Sequence, residues 1–369
     1  MKQLILIFSA AFLIAGCDNN PDKKTEIKME KLITSKSEAP TTPKAKLYEE
    51  IILPNGKQKV TVDNFVRAES DHFFKVKADN GMFGKLVPDR QPASVEKQLV
   101  VRINRDTRFS FGVFDLTEPV TITLPETGNR FQSMLVINQD HYIKKVIYDP
   151  GEYTFTKENI GTRYVQVAIR TLVDASSAED NKKVDAIQDQ IAVKQKSPGK
   201  FEVPDWDEDT QKKTRERILA LADGISNSKG MFGDENEVDP VRHLIGTAAG
   251  FGGNAEKDAT YLNYNPANND GNTAYVLTVK DVPVDGFWSV SVYNADGYFE
   301  KNAFNSYSFN NLTAKKNADG SVTIHFGGDP KQSNFLYIMK GWNYTVRLYR
   351  PKEEVLNGSW KFPDAQIVK

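Results

Sequence analysis

The sequence predicts a mainly β chain with helices (α+β), arranged as two antiparallel β-sandwich-like domains joined by a helical connector. Three observations predict it. Short apolar or alternating runs rich in Val, Ile, Phe and Tyr recur along most of the chain, with the spacing that sandwiches and barrels show. Glycine, proline and Asn-Ala-Asp-Gly turns separate them. From 176 to about 235 the pattern changes to helical spacing. At 369 residues the chain is long enough for two such domains, each with its own core.

Composition narrows the function classes. Lys and Arg (48) nearly balance Asp and Glu (49), so no global field draws in nucleic acid, and none is expected as a partner. A single cysteine excludes an internal disulfide, a Cys-based metal site and a thioredoxin-type pair.

That cysteine is Cys17, and its neighbours explain it. Lys2, the apolar run Leu4 to Ile14 and the small residues Ala15-Gly16 read as an export signal over 1–16. Ile14-Ala15-Gly16-Cys17 resembles the bacterial lipobox, which implies lipidation of Cys17 and anchorage to a membrane; several acyl chains make such an anchor stable. Residues 17–46 continue as a polar, lysine-rich segment that buries too little apolar surface to fold, so a flexible tether is expected. As a coil it would span roughly 30 Å. The expected location is the cell envelope, facing the periplasm. Asp18, followed by Asn19, resembles the signal that retains lipoproteins in the inner membrane, which is preferred here over the outer one.

The N-terminal β-rich domain is expected over 47–175. Val62, Phe65, Val66, Glu69, Phe73 and Val76 repeat at helical spacing, with Thr61 as a cap and Asn80-Gly81 as a stop. Strands follow at 98–103, 108–116, 120–124, 130–138, 142–148, 152–156 and 163–173. The connector, 176–235, carries one amphipathic helix marked by Val184, Ile187 and Ile191, and another marked by Ile218, Leu219 and Leu221. The C-terminal domain, 236–369, carries strands at 274–280, 287–294, 321–326, 334–339 and 342–349. Trp288 shares parity with Val290 and Val292, and Trp342 with Tyr344 and Val346, so both belong to a core face rather than to a sugar platform.

Several stretches resemble a known pair of bacterial domains. "NRDTRFSFGVFDL", "RFQSMLVINQDHY" and "GTRYVQVAIRTLVD" resemble domain of unknown function 1254. "DPVRHLIGTAAGFGG", "VPVDGFWSVSVYNADGYFEKN", "NNLTAKKNADGSVTIHFGG" and "GWNYTVRLYRP" resemble domain of unknown function 1214. The resemblance implies two β-rich domains, exported in many relatives, and no established reaction. Asp329 to Phe335, where some members of the second domain carry cysteines, has none here, so no disulfide carries over.

Chemistry-bearing motifs are few. Asp205, Asp207, Asp209 and Glu216 match calcium-loop positions, but Thr210 replaces the glycine such a loop needs, so the acidic run reads as the first turn of a helix. There is no G-x-S-x-G elbow, H-E-x-x-H helix or phosphate loop. His72, His141, His243 and His325 share no metal-ligand spacing, and no metal or other cofactor is expected. In "VVRINRDTRF", alternation puts Val101 and Ile103 on one face with Arg105 continuing it, and an arginine there needs a carboxylate, a carbonyl or a ligand anion. The candidate ligand-binding residues at polar strand ends are Arg105, Asp106, His141, Arg170, Arg242 and His243; a structural ion-pair network between the domains is the competing account. The expected function is a binding or accessory module for a small solute or envelope component at the domain junction. An Asp/His-dependent hydrolase or lyase and a structural envelope protein are the alternatives.

Overall fold

The structure, a computed structural model, describes residues 49–369 except 99, 100 and 226. The signal segment, Cys17 and the tether lie outside the described residues. The first helix, α1, spans Phe65–Lys77. It starts at Asn64 rather than Thr61: Asn64 Oδ1 accepts the Thr61 N–H (2.8 Å) while its Nδ2 donates to the Lys59 carbonyl (3.1 Å), and these bonds fix the entry. Val62 is consequently outside the helix and exposed.

The short edge strand β1, Val87–Pro88, comes next. No strand occupies the described part of 98–103. Arg102 has a left-handed φ of 51°, and its N–H donates to Gly297 O (2.8 Å), so the chain turns there; Val101 is exposed and the alternation that would have carried Arg105 onto its face does not exist. The backbone twist at one residue is enough to cancel a period-2 pattern.

Strands β2 (Thr107–Asp115), β3 (Val120–Leu124), β4 (Gln132–Asn138), β5 (Ile143–Ile147) and β6 (Gly151–Phe155) follow in antiparallel order. The single helical turn α2 (Lys157–Ile160), closed by a capping box between Thr156 and Asn159, leads into β7 (Tyr164–Leu172). Helix α3 (Ala178–Asp189) begins at Ser177, whose side chain accepts the Asp180 N–H. Then the expected connector yields a strand instead of helix: β8 (Ala192–Gln195) pairs with β3, Val193 opposite Ile122. One sheet has the order β1-β2-β7-β4-β5 and a second the order β6-β3-β8. Between them Phe114, Ile122, Met134, Val136, Phe155 and Val167 form the first core.

The acidic run opens a helix: Asp207 caps it and Glu208 and Asp209 stand in its first turn, while Asp205 precedes it. Helix α4 (Glu208–Ala220) is capped by Asp207, whose Oδ1 accepts the Thr210 N–H (2.9 Å). Helix α5 (Pro240–Ala249) has proline in its first turn and Asp239 as its cap. Helices α1, α4 and α5 bury Phe65, Ala68, Ile218 and Ile245 against one another.

The second half contains β9 (Ala259–Tyr264), β10 (Tyr275–Val279), β11 (Trp288–Tyr293), β12 (Ser308–Asn310), β13 (Val322–Phe326), β14 (Phe335–Leu336), β15 (Asn343–Tyr349), the turn α6 (Glu353–Leu356) and β16 (Gln366–Ile367). Its sheets run β14-β13-β10-β16 and β12-β11-β15-β9, antiparallel except for β13 with β14. Trp288 and Trp342 are buried in the core they enclose, with Val290, Phe326, Tyr344 and Leu348. Of the run 334–339 only Phe335–Leu336 is strand.

The two halves meet along a packed seam within one compact unit, Tyr48–Lys369. Phe131 and Leu172 pack on Phe287 and Tyr349. Asn104 Nδ2 donates to Tyr349 OH (2.7 Å), and Tyr293 OH donates to Ile103 O (3.0 Å). No helix among the described residues is long and apolar enough to cross a membrane.

Candidate functional site

A cavity of about 500 Å³ opens on this seam. One wall comes from Arg105, Asp106 and residues 173–176, the other from residues 304–310, Thr313, Pro330, Gln332, Asn334 and Phe335. Its size is in the range of small-ligand sites.

Arg105 and Asp106 lie between the turn at Arg102 and the start of β2. Arg105 is half-buried, donates through Nη1 to the Ala93 carbonyl, and holds its guanidinium carbon 5.4 Å from the centre of the Tyr307 ring. No carboxylate among the described residues lies within ion-pair distance of it, and burial pulls its pKa down. Asp106 is 2% exposed; Asn310 Nδ2 donates to its Oδ1 at 3.1 Å and Ser308 Oγ at 3.5 Å, while Oδ2 has no hydrogen-bond partner among the described residues. Burial pushes its carboxyl pKa up, against the pull of Arg347. Arg347, buried behind the seam, donates to Ser291 Oγ (3.0 Å), Tyr293 OH (2.7 Å) and Arg102 O (2.7 Å).

The histidines form a different centre. His141, at the turn between β4 and β5, has φ 59° and is buried. Its Nε2 accepts the Gly252 N–H (2.8 Å), and its Nδ1 lies 2.7 Å from Thr247 Oγ1, which itself donates to His243 O (2.9 Å). These partners assign the proton to Nδ1. His243, on α5, sets Nδ1 3.1 Å from Met231 O and Nε2 3.0 Å from Asp140 O. The rings run in a stack from Tyr142 through His243 and His141 to Phe251, with centroid spacings of 4.7, 5.6 and 4.3 Å. Burial, with His243 adding to it, drives the His141 pKa down to about 3. A neutral imidazole held by a hydroxyl and an amide, with no carboxylate against it, packs helix to sheet; it has no orienting acid for base catalysis.

Arg170 and Arg242 join neither centre. The Arg170 guanidinium sits over Phe109 (5.0 Å) and Tyr349 (5.2 Å). Arg242 is half-buried and staples α5 to the preceding loop through Lys229 O, Asn227 O and Asn227 Oδ1. The six candidate residues thus divide among separate places, with Arg105 and Asp106 alone in the cavity wall. The opposite wall, Phe304, Asn305, Tyr307 and Gln332, carries no periodic signal in the sequence; clustered Asn and Ser over 302–311 mark it as a loop and no more. A second cavity, about 520 Å³, lies in the second half and is lined mainly by Leu262, Tyr264, Leu348, Trp360 and Phe362. No group of three metal-ligating side chains stands together among the described residues.

Comparison with known proteins gives the following. The model of a protein of unknown function, DUF1254, matches residues 83–195, and that of a second protein of unknown function, DUF1214, matches 258–353. The crystal structure of the VPA0106 protein from Vibrio parahaemolyticus is similar at 18% identity and a TM-score of 0.65, over 83% of this chain and 96% of that one. An uncharacterized protein from Burkholderia cenocepacia is similar at 12% identity and a TM-score of 0.47, over 83% and 87%. At these identities the first likeness is one of fold. No curated protein matches the sequence. Every residue lining the seam cavity lies inside one of the two matched stretches.

Proposed function

The chain carries domain of unknown function 1254 followed by domain of unknown function 1214, and from that premise we propose that it is a binding module taking a small polar solute in the seam cavity. Arg105 carries this reading. A half-buried guanidinium bonded to one carbonyl, and held against an aromatic ring, keeps N–H donors without protein acceptors among the described residues. Desolvating such a group is costly unless an acceptor arrives, and a solute in the cavity would supply it. The cavity wall contains no histidine, so the Asp/His hydrolase reading finds no acid–base pair there. In the same proposal the Cys17 anchor holds the module in the cell envelope, facing the periplasm, with the inner membrane preferred.

A solute library tested by thermal unfolding on the full-length chain checks it, because a ligand of the folded state raises the midpoint by mass action. Solutes that raise the midpoint of the parent and lose that effect with Arg105→Met support the cavity. Solutes that act equally on both proteins overturn it.

A further inference from the structure

We propose that the solute is a neutral saccharide, stacked on Phe304 at the cavity mouth and hydrogen-bonded by Arg105, Tyr307, Asn305 and Gln332. The proposal rests on the binding reading above and adds the ligand class.

Phe304 is 49% exposed although it is a large apolar ring. It is not loose. Asn302 Oδ1 accepts the N–H groups of Phe304 and Ser306 (3.1 Å each), and Asn302 Nδ2 donates to Glu300 O (3.2 Å) and Ser306 O (3.0 Å). Asn305 adopts φ 50° within that loop, and the Phe304 ring stands edge-on to Phe335 at 5.2 Å. Tyr337 lies tilted at 6.2 Å on the same ring, and the half of Phe304 left exposed in the lining of a polar cavity offers stacking area to the C–H face of a sugar.

The uncommitted polar groups set the chemistry. The side chains of Asn305 and Gln332, the Tyr307 hydroxyl and most of the Arg105 guanidinium have no hydrogen-bond partner among the described residues. Amides and a phenol each donate and accept, as sugar hydroxyls do. The carboxylates are partly committed: Asp106 to Asn310, and Asp174 Oδ1 to the Ser176 N–H (2.9 Å) and Oγ (2.6 Å). An anionic solute at Arg105 would face those two acids, and a cationic one would face Arg105 itself. A neutral polyol avoids both penalties, and the cavity volume of about 500 Å³ lies in the range of small-ligand sites.

Isothermal titration of the full-length chain in sugar-free detergent, with maltose, cellobiose and diacetylchitobiose as probes, tests this. Citrate, spermidine and glycylglycine serve as charged and zwitterionic counter-probes. At least one saccharide should bind, and Phe304→Ala should weaken it about two- to tenfold, while Phe304→Tyr should retain it. Saccharide binding unchanged by Phe304→Ala overturns the proposal. A counter-probe that binds in place of the saccharides, and is lost with Arg105→Met, overturns the saccharide class but leaves the cavity as a binding site. No binding by any probe overturns the saccharide class, and the solute library then decides the cavity separately.

Discussion

The imidazoles of His141 and His243 lie 5.6 Å apart at an interplanar angle of 29°, though one closes a β-turn and the other sits on a helix. Acid should open this contact. In the unfolded chain His141 takes up a proton near 6.5, whereas in the folded protein it does so only near 3. Between those values the unfolded state binds more protons, so stability falls as pH drops, by up to about 1.4 kcal/mol per unit. Asp71, Asp106 and Asp258, raised by burial, act in the opposite sense, because the folded state holds their protons more firmly. Comparing denaturant midpoints of the parent and His141→Gln between pH 7 and 4 isolates the histidine. The variant should lose slope; an equally steep acid limb means the buried imidazole is not its source.

Arg105→Met keeps most of the apolar stem and deletes the charge. Its partners among the described residues are one carbonyl and the face of Tyr307, so stability should change by no more than about 1 kcal/mol while the response to ligand disappears. Melting and ligand titration on the same sample read both. A large stability loss with ligand response intact would make Arg105 a structural residue.

Asp106 should behave the other way. Asp106→Ala leaves Asn310 Nδ2 buried without its acceptor and should cost about 1–3 kcal/mol in urea denaturation. Asp106→Asn keeps that acceptor and removes a carboxylate whose charge burial already disfavours. It should cost about 1 kcal/mol or less. Equal losses in the two variants would show that the charge, rather than the acceptor, holds the seam.

The two halves should unfold in one calorimetric transition. An aromatic cluster and several hydrogen bonds cross the seam, and a large, well-packed interface couples the parts it joins. Two resolved transitions would contradict this.

Cys17→Ser should abolish incorporation of labelled fatty acid and release the chain from membranes. A mutant that still sediments with membranes like the parent would remove the anchor from the proposal.

Much of the fold is legible because sheets with a buried face impose alternation. Thr107–Asp115 and Trp288–Tyr293 lie deep in their sheets and read clearly, with Phe109, Phe111 and Val113, and Trp288, Val290 and Val292, at alternate positions. Ala192–Gln195 does not, because a four-residue edge strand with alternate exposure has too few apolar positions to register. Ala259–Tyr264 is equally faint, with one buried residue. At the site, Arg105 and Asp106 are legible as charges beyond an apolar run. Phe304, Asn305 and Gln332 are not, since local side-chain bonds from Asn302 and left-handed backbone at Asn305 shape that loop, and neither leaves a period. His141 and His243 read as candidate ligand-binding residues in sequence because hydrogen bonding to Thr247, Gly252 and main-chain carbonyls is set only by folding.

The cavity takes one wall from residues 105–176 and the other from residues 304–335, and this has a hereditary consequence. A recombination event that moved either half into another gene would carry half a cavity with it, and would break the one left behind. A split between these domains therefore takes a wall from the cavity in a single step, whereas point changes on one wall can reshape it gradually while the other wall stays as it is.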